Sequence, residues 1–282
     1  MKIKIGTRAS PLALAQTEII AREILKFYPH TEISMIKIKT SGDKNMAPFS
    51  SDPAGIKGLF TLELENALLN HEIDFAVHSL KDLPANINKN LPIVAYSRRA
   101  DVRDALVGGG DLIGSSSLRR RLQLEKIFPE KKIIPVRGNI NTRLEKLDAG
   151  NFSGLVLAVA GLERLGLENK ITKIFEVDEI LPAPGQGILA CQGRADEDYF
   201  YLDRVNDENS KICALAERSF SRALNAGCNV PVGAYAFINE NVLTLTGVYI
   251  DEATKKFYRG SLSGDVREAE EIGKNLAKEI FS

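Results

Sequence analysis

The sequence has no long apolar run, no excess of either charge, and few of the residues from which metal sites and disulfides are built. None of its 282 residues belongs to an apolar stretch approaching the length of a membrane span. The N-terminal MKIKIGTRAS lacks the apolar core of a secretory signal. A cytoplasmic protein with no membrane partner is therefore expected. Lys plus Arg and Asp plus Glu number 37 each, so no global charge draws the chain to nucleic acid. There are three cysteines, Cys191, Cys213 and Cys228, and an odd count without close spacing argues against a disulfide framework or a zinc site. His30, His71 and His78 show no ligand spacing either, and no metal is expected. If a cysteine has chemistry here, it acts alone. Internal repeats and low-complexity segments are also missing.

What is present is a globular composition, 44% hydrophobic and 26% charged, with length for two or three domains. Lys2–Gly6 reads as a strand, and Ser10-Pro11 as an N-cap with proline at the first helical position. Leu12, Ile19, Ile20, Ile24 and Phe27 share one face of the helix that follows. Glu32–Thr40 alternates as a strand, Thr40–Lys57 reads as a mobile loop, and Gly58–Asn70 as a helix with Phe60, Leu64, Ala67 and Leu68 inward. Ile73–Ser79 has the continuous apolar character of a buried parallel strand, and Leu91–Ser97 is another strand. Short apolar stretches at Ala105–Val107 and Leu112–Ile113 open a second set. A helix of about ten residues follows Ser117, then a strand at Lys132–Val136, a helix at Asn139–Ala149 closed by Gly150, and a strand at Leu155–Ala160. Leu181–Gly187 is a turn-rich boundary. The last 75 residues differ, with a helix at Lys211–Leu224, three alternating strands, and an amphipathic helix over Val266–Phe281. The expected fold is α/β with parallel or mixed sheets, followed by a small α+β domain.

Polar residues follow these strands: Arg8 and Ser10 the first, Lys81 and Asp82 the Ile73–Ser79 strand, Ser115, Ser116 and Ser117 the Leu112–Ile113 strand, and Arg137 the Lys132–Val136 strand. Ligands of open α/β sheets bind at the carboxyl ends of strands, so these residues are expected to converge on one cleft between two domains. Arg119 and Arg120 stand in the first turn of a helix, where free N–H groups and two planar donor forks suit an anionic ligand with several carboxylates or phosphates. A solvated basic face is the plainer alternative, and Arg121 is assigned a solvated or structural place, since successive helical residues diverge by about 100°. Asp82 can move protons and hold a developing cation, or it simply forms a turn before Pro84 or pairs with Lys81. Cys228, in the loop Ala226–Asn229, is either a reactive thiol or an inert one, while Cys191 and Cys213 are expected to be structural.

Eight stretches in order resemble the porphobilinogen deaminase family: Thr7–Ala13, Gly58–Phe60, Ala76–Pro84, Gly114–Arg120, Arg137–Arg143, Leu157–Gly166, Leu181–Gly187 and Gly227–Gly233. The resemblance spans nearly the whole chain. It implies two lobes resembling type II periplasmic binding proteins plus a small C-terminal α+β domain. The implied domains are 1–95 with 186–206, 96–185, and 207–282. It implies a transferase of haem biosynthesis that joins four porphobilinogen molecules head to tail, releasing ammonia and hydroxymethylbilane. The implied cofactor is a dipyrromethane held through a thioether to Cys228. Asp82 would be the acid/base group that stabilises the cationic azafulvene. Arg8, Ser10, Lys57, Phe60, Ser79, Lys81, Ser115, Ser116, Ser117, Arg119, Arg120, Arg137, Gly138, Arg143, Arg164 and Gln186 would bind cofactor or substrate or support the residues that do. A monomer acting on porphobilinogen, with no nucleic-acid partner, is implied as well.

The chain departs from the family pattern in four places. Arg98–Gly114 is short, which bears on the hinge more than on the chemistry. Ser115 stands where threonine is common, Asn229 replaces a glutamine, and Ala183-Pro184 adds a proline. A non-catalytic two-lobed carboxylate binder is the rival reading, since it needs neither Cys228 nor Asp82. A transcription-factor effector domain of similar fold is a weaker one, as no helix-turn-helix segment precedes it.

Overall fold

Ser10 caps the first helix through its side chain, which accepts a hydrogen bond from the Ala13 amide, and Pro11 takes the first helical position. The computed structural model describes residues 1–39, 61–225 and 230–282. Phe60, Cys228 and the whole of the loop expected over Thr40–Lys57 lie outside the described residues. In chain order the first elements are β1 (Lys2–Arg8), α1 (Pro11–Phe27), β2 (Glu32–Ile38), α2 (Leu62–Leu69), β3 (Phe75–Ser79) and β4 (Ile93–Tyr96). The chain then makes β5 (Asp104–Gly108), β6 (Leu112–Ser115), α3 (Leu118–Ile127), β7 (Lys132–Pro135), α4 (Ile140–Asp148), β8 (Gly154–Ala158), α5 (Val159–Glu163) and β9 (Ile171–Phe175). The last elements are β10 (Leu189–Gln192), α6 (Glu208–Ala223), β11 (Val232–Asn239), β12 (Val242–Ile250), β13 (Phe257–Asp265) and α7 (Ala269–Glu279).

Two compact units result, Met1–Arg99 with Ile188–Lys211, and Ala100–Gly187 with Ile212–Ser282. The first holds a five-stranded sheet in the order β2-β1-β3-β10-β4. There β1 runs parallel to β2 and β3, and β10 runs antiparallel to β3 and β4. The second holds a sheet of the same plan, β7-β6-β8-β5-β9. Its β6 is parallel to β7 and β8, while β5 is antiparallel to β8 and β9. Each sheet thus takes its one inserted antiparallel strand from just beside a crossing of the chain, which gives the two like lobes expected. A separate antiparallel sheet, β11-β12-β13, belongs to the C-terminal α+β part.

Each sheet has its own core. Ile3, Ile5, Ile20, Ile24, Phe75 and Leu189 fill the first; Ala105, Val107, Leu144, Leu155 and Leu157 fill the second; Phe220, Leu243, Leu245, Ile272 and Leu276 fill the third. Full burial of such a side chain contributes about 1.5–3 kcal/mol. In the second unit a further cluster, Leu122, Leu181, Val248 and Ile250, joins α3 and the 181–187 turn to β12. Gly233 permits this approach, because a Cβ there would sit 2.9 Å from the Leu181 carbonyl oxygen.

Four local expectations are corrected. The buried face of α1 is Ala13, Gln16, Thr17, Ile20 and Ile24, whereas Phe27 is 53% exposed with the Arg204 guanidinium over its ring. Apolar periodicity missed both polar residues: Thr17 Oγ1 donates to the Ala13 carbonyl one turn back, and Gln16 bonds Ser79 at the end of β3, a partner far away in sequence. The apolar run at 155–160 divides, with β8 ending at Ala158 and α5 beginning at Val159. The final helix starts at Ala269, since Val266–Glu268 is a 3-10 turn. Finally, β9 and β10 are strands that periodicity did not reveal.

Candidate active site

In the first unit, parallel β1 and β3 bring their carboxyl ends to one edge of the sheet. Arg8 closes β1, Ser79 closes β3, and Lys81 and Asp82 lie in the 3-10 turn that follows. Arg8, Ser10, Gln16, His78, Ser79 and Asp82 line a cavity of about 50 Å³. Gln16 Nε2 donates to Ser79 Oγ at 2.8 Å, and Ser79 Oγ donates to Gln16 Oε1 at 3.2 Å, which fixes that serine against α1. Asp82 is exposed at the turn, while Leu80 and Leu83 on either side of the Lys81-Asp82 pair are buried and anchor it. His78 is buried beside them, and its Nε2 has no hydrogen-bond partner among the described residues. Burial lowers the imidazole to about 4, with Gln192 opposing and the charge of Arg8 reinforcing the shift. His78 is therefore neutral at physiological pH.

In the second unit, β6 and β7 are parallel and deliver Ser115 and Arg137 to one edge. The serines build the helix start there. Ser115 Oγ accepts from the Ser117 amide at 3.3 Å, and Ser117 Oγ accepts from the Arg120 amide at 3.4 Å. Ser116 is exposed. Gly138, at φ 116°, turns the chain so that Asn139 can cap α4 by accepting from the Thr142 amide at 2.9 Å. Arg137 is exposed, and its carbonyl accepts from Lys146 Nζ at 3.0 Å. Arg143 lies half-buried in the first turns of α4. Arg164 donates to the Gly187 carbonyl at 2.6 Å, and burial pulls its guanidinium down to about 10, with Glu163 partly offsetting.

Arg119 and Arg120 form the densest polar cluster. Asp104, fully buried at the start of β5, accepts from Arg119 Nη2 at 2.8 Å and from Arg120 Nη2 at 2.7 Å. Arg119 Nη1 also donates to the Leu181 carbonyl at 2.5 Å. Gln186 Nε2 donates to Asp104 Oδ1 at 2.8 Å and to the Val102 carbonyl at 2.7 Å. Burial alone would raise the Asp104 carboxyl, but the charges of Arg120 and Arg119 and their hydrogen bonds outweigh it and hold it well below the carboxylate range. Burial lowers the Arg119 guanidinium, Asp104 works against that, and the like charge of Arg120 adds to it. The plain alternative of a solvated basic face is excluded for both arginines, which are 4% and 5% exposed.

Sequence reasoning missed Asp104, His78 and Gln16. Asp104 had a usable signal, a carboxylate directly opening the apolar run Ala105–Val107. His78 and Gln16 had none, because a buried histidine or glutamine is read as core until its neighbours are known. Cys191 and Cys213 are buried as expected, and burial pushes the Cys191 thiol up to about 12. Among the described residues no cluster of His, Cys, Asp or Glu could hold a metal ion, and no helix is long and apolar enough to cross a membrane. A larger groove of about 610 Å³ in the second unit, lined by Val107, Leu112, Leu144, Leu147 and Phe152 among others, touches none of the expected site residues.

Two family models match the chain. The porphobilinogen deaminase dipyromethane cofactor binding domain covers residues 3–201, and the porphobilinogen deaminase C-terminal domain covers residues 211–282. Curated relatives include porphobilinogen deaminases of Ruminiclostridium josui, 47% identical over 286 residues that are 100% of this chain and 98% of the relative, and of Thermus thermophilus, 40% identical over 99% of this chain and 95% of the relative. Among solved structures, the methionine binding protein MetQ matches 72% of this chain and 88% of its own at 12% identity with a TM-score of 0.45. The BenM effector binding domain with its effector benzoate matches the same shares at 14% identity with a TM-score of 0.42.

Proposed function

This chain belongs to the porphobilinogen deaminase family, and we propose that it carries out the family's reaction with Asp82 as its proton-transfer group and Cys228 as the cofactor's anchor. As a hydroxymethylbilane synthase it polymerises porphobilinogen in tetrapyrrole biosynthesis. The observation that carries the site assignment is the shared cavity of Arg8, Ser10, Ser79 and Asp82 at the carboxyl edge of the first sheet.

The residues present fit a polyanionic pyrrole cofactor. Two guanidiniums share one carboxylate in the Arg119–Asp104–Arg120 cluster, which leaves it one net positive charge in a desolvated setting. Nε of Arg119 and Nε of Arg120 are buried N–H donors without a partner among the described residues. A buried donor left unmade costs about 1–3 kcal/mol, and a carboxylate is the acceptor that relieves both the charge and the donors. Bound through Cys228, the dipyrromethane supplies the nucleophilic pyrrole carbon to which the first substrate is joined.

The remaining chemistry falls to the protein's own side chains. As the C–N bond of the aminomethyl group breaks, its electron pair leaves on nitrogen, which takes up a proton and departs as ammonia. The substrate's methylene carbon becomes cationic. A carboxylic acid at Asp82 delivers the proton, and the resulting carboxylate holds the cation close by. After the new C–C bond forms, the same carboxylate accepts the proton lost from the ring carbon, which restores the acid. Arg8, Arg137, Arg143 and Arg164, with Lys81 and the serines 10, 79, 115, 116 and 117, bind or support the acetate and propionate groups. Each pyrrole carries two such groups, so many donors are needed. Lys57 and Phe60 join the residues assigned to cofactor and substrate, Gly138 and Gln186 shape the backbone and the arginine cluster, and the C-terminal part from residue 207 serves as the third domain. The enzyme is a cytoplasmic monomer.

The experiment is intact mass. Purified protein from a haem-synthesising host is expected to exceed its sequence mass by two linked pyrrole units and to give the Ehrlich colour of a dipyrromethane. Cys228→Ser is expected to lose both. A wild-type protein of unmodified mass that does not turn over porphobilinogen overturns the assignment.

A further inference from the structure

We propose that Asp104 is a positioning residue of the reaction: it fixes the two guanidiniums of Arg119 and Arg120 and sets the charge they offer to a pyrrole carboxylate. The inference rests on the function proposed above and adds to it a residue outside the expected binding set.

Asp104 is an unusual partner for these arginines. It is fully buried, it gives one oxygen to each guanidinium at 2.7 and 2.8 Å, and it stands 15 and 16 residues from them on a different element. Its Oδ1 also accepts from Gln186 at 2.8 Å, and that side chain is held by the Val102 carbonyl. Arg119 is held in turn by the Leu181 carbonyl, whose oxygen also accepts from Gln123 at 3.1 Å. The carboxylate is thus locked on all sides, and it locks both arginines. Among the described residues no other carboxylate bonds either one.

The arrangement limits charge as well as motion. Without Asp104 two like charges would face each other in a desolvated pocket; with it, one net charge remains, together with two unfilled Nε–H donors. Elongation adds two carboxylates with every pyrrole, and the tethered chain must be held and yet shift along the site at each round. A site of full double charge would hold the anionic chain more tightly in the ground state, without matching gain in the transition state, which lowers KM and slows turnover. Asp104 moderates that grip. A residue that served only folding would instead, when altered, lose stability and binding together.

The test uses the holoenzyme. For Asp104→Asn the expected result is a KM for porphobilinogen that is unchanged or lower, a kcat reduced at least tenfold, and a mass spectrum in which species carrying one, two or three extra pyrrole units accumulate beyond their wild-type share. Asp104→Glu, which keeps the charge, should return the spectrum to the wild-type distribution. A raised KM with kcat unchanged, a wild-type spectrum in Asp104→Asn, or accumulation that Asp104→Glu does not reverse overturns the proposal. Should Asp104→Asn give no folded holoenzyme, Asp104→Glu decides alone: a wild-type spectrum supports the role, and accumulation or a raised KM refutes it. Wild-type protein run alongside separates the two questions, because a wild type with neither adduct nor turnover sinks the function itself, whereas a normal wild type confines any failure to Asp104.

Discussion

The carboxylate of Glu217, fully buried in α6, accepts a hydrogen bond from the Gly185 amide at 2.7 Å. Its other oxygen accepts from the Ala236 amide on β11, also at 2.7 Å. One side chain therefore satisfies two buried N–H groups on segments 51 residues apart, and the Pro182 carbonyl adds a third tie by accepting from the Ala234 amide at 2.9 Å. Glu217→Gln offers one acceptor and turns an NH₂ toward a donor. The expected cost is about 2 kcal/mol, a fall in Tm of roughly 4–8 °C. Thermal unfolding of the two holoenzymes side by side checks it, and equal Tm values would show that the carboxylate is dispensable.

Asp82→Asn is expected to keep the fold and the two-pyrrole mass increment while turnover falls at least 100-fold. The amide can still hydrogen-bond, but it can neither exchange a proton nor offset the developing cation. Steady-state assay of protein with the full adduct mass is the measurement. Near-normal turnover would remove Asp82 from the proton-transfer role and return it to the turn it occupies between Leu80 and Leu83.

Much of this arrangement was readable from residue order alone. Ser10 and Ser117 mark two helix starts to the residue, because capping is local chemistry, while Asn139, read as the first helical residue, is the cap of α4. The run before Ser79 betrayed a central strand, since burial on both faces leaves no polar alternation. What escaped detection depends on partners far away in sequence. Leu189–Gln192 is four residues long and is a strand only because β3 and β4 flank it. Arg119 and Arg120 were legible as a cationic helix start, but their counter-charge comes from Asp104 on another strand, and no local pattern links them.

His78 makes stability depend on pH. Its folded pKa of about 4 lies below the ordinary histidine value of 6.5, so the folded protein holds it neutral while the unfolded chain protonates it first. The stability it contributes is complete above pH 6.5 and is lost as pH falls toward 4, on the order of 3 kcal/mol. Urea unfolding at pH 7, 6, 5 and 4.5 should show midpoints falling with pH in the wild type and a shallower fall in His78→Gln. Parallel slopes would mean that other groups carry the acid sensitivity.

The three cysteines should differ sharply in reactivity and in consequence. Cys191 is fully buried, and its thiol is pushed up to about 12 by loss of solvation, so almost none is thiolate near neutral pH. Cys213 is packed in the C-terminal core with Phe220 and Leu276. Neither should react with iodoacetamide in the native holoenzyme, and Cys191→Ala or Cys213→Ala should keep the two-pyrrole adduct. Cys228→Ser should abolish it. Digestion after labelling, read by mass, distinguishes the three positions: label at Cys191 without denaturant would contradict the burial of that thiol, and an adduct persisting on Cys228→Ser protein would move the thioether to another residue.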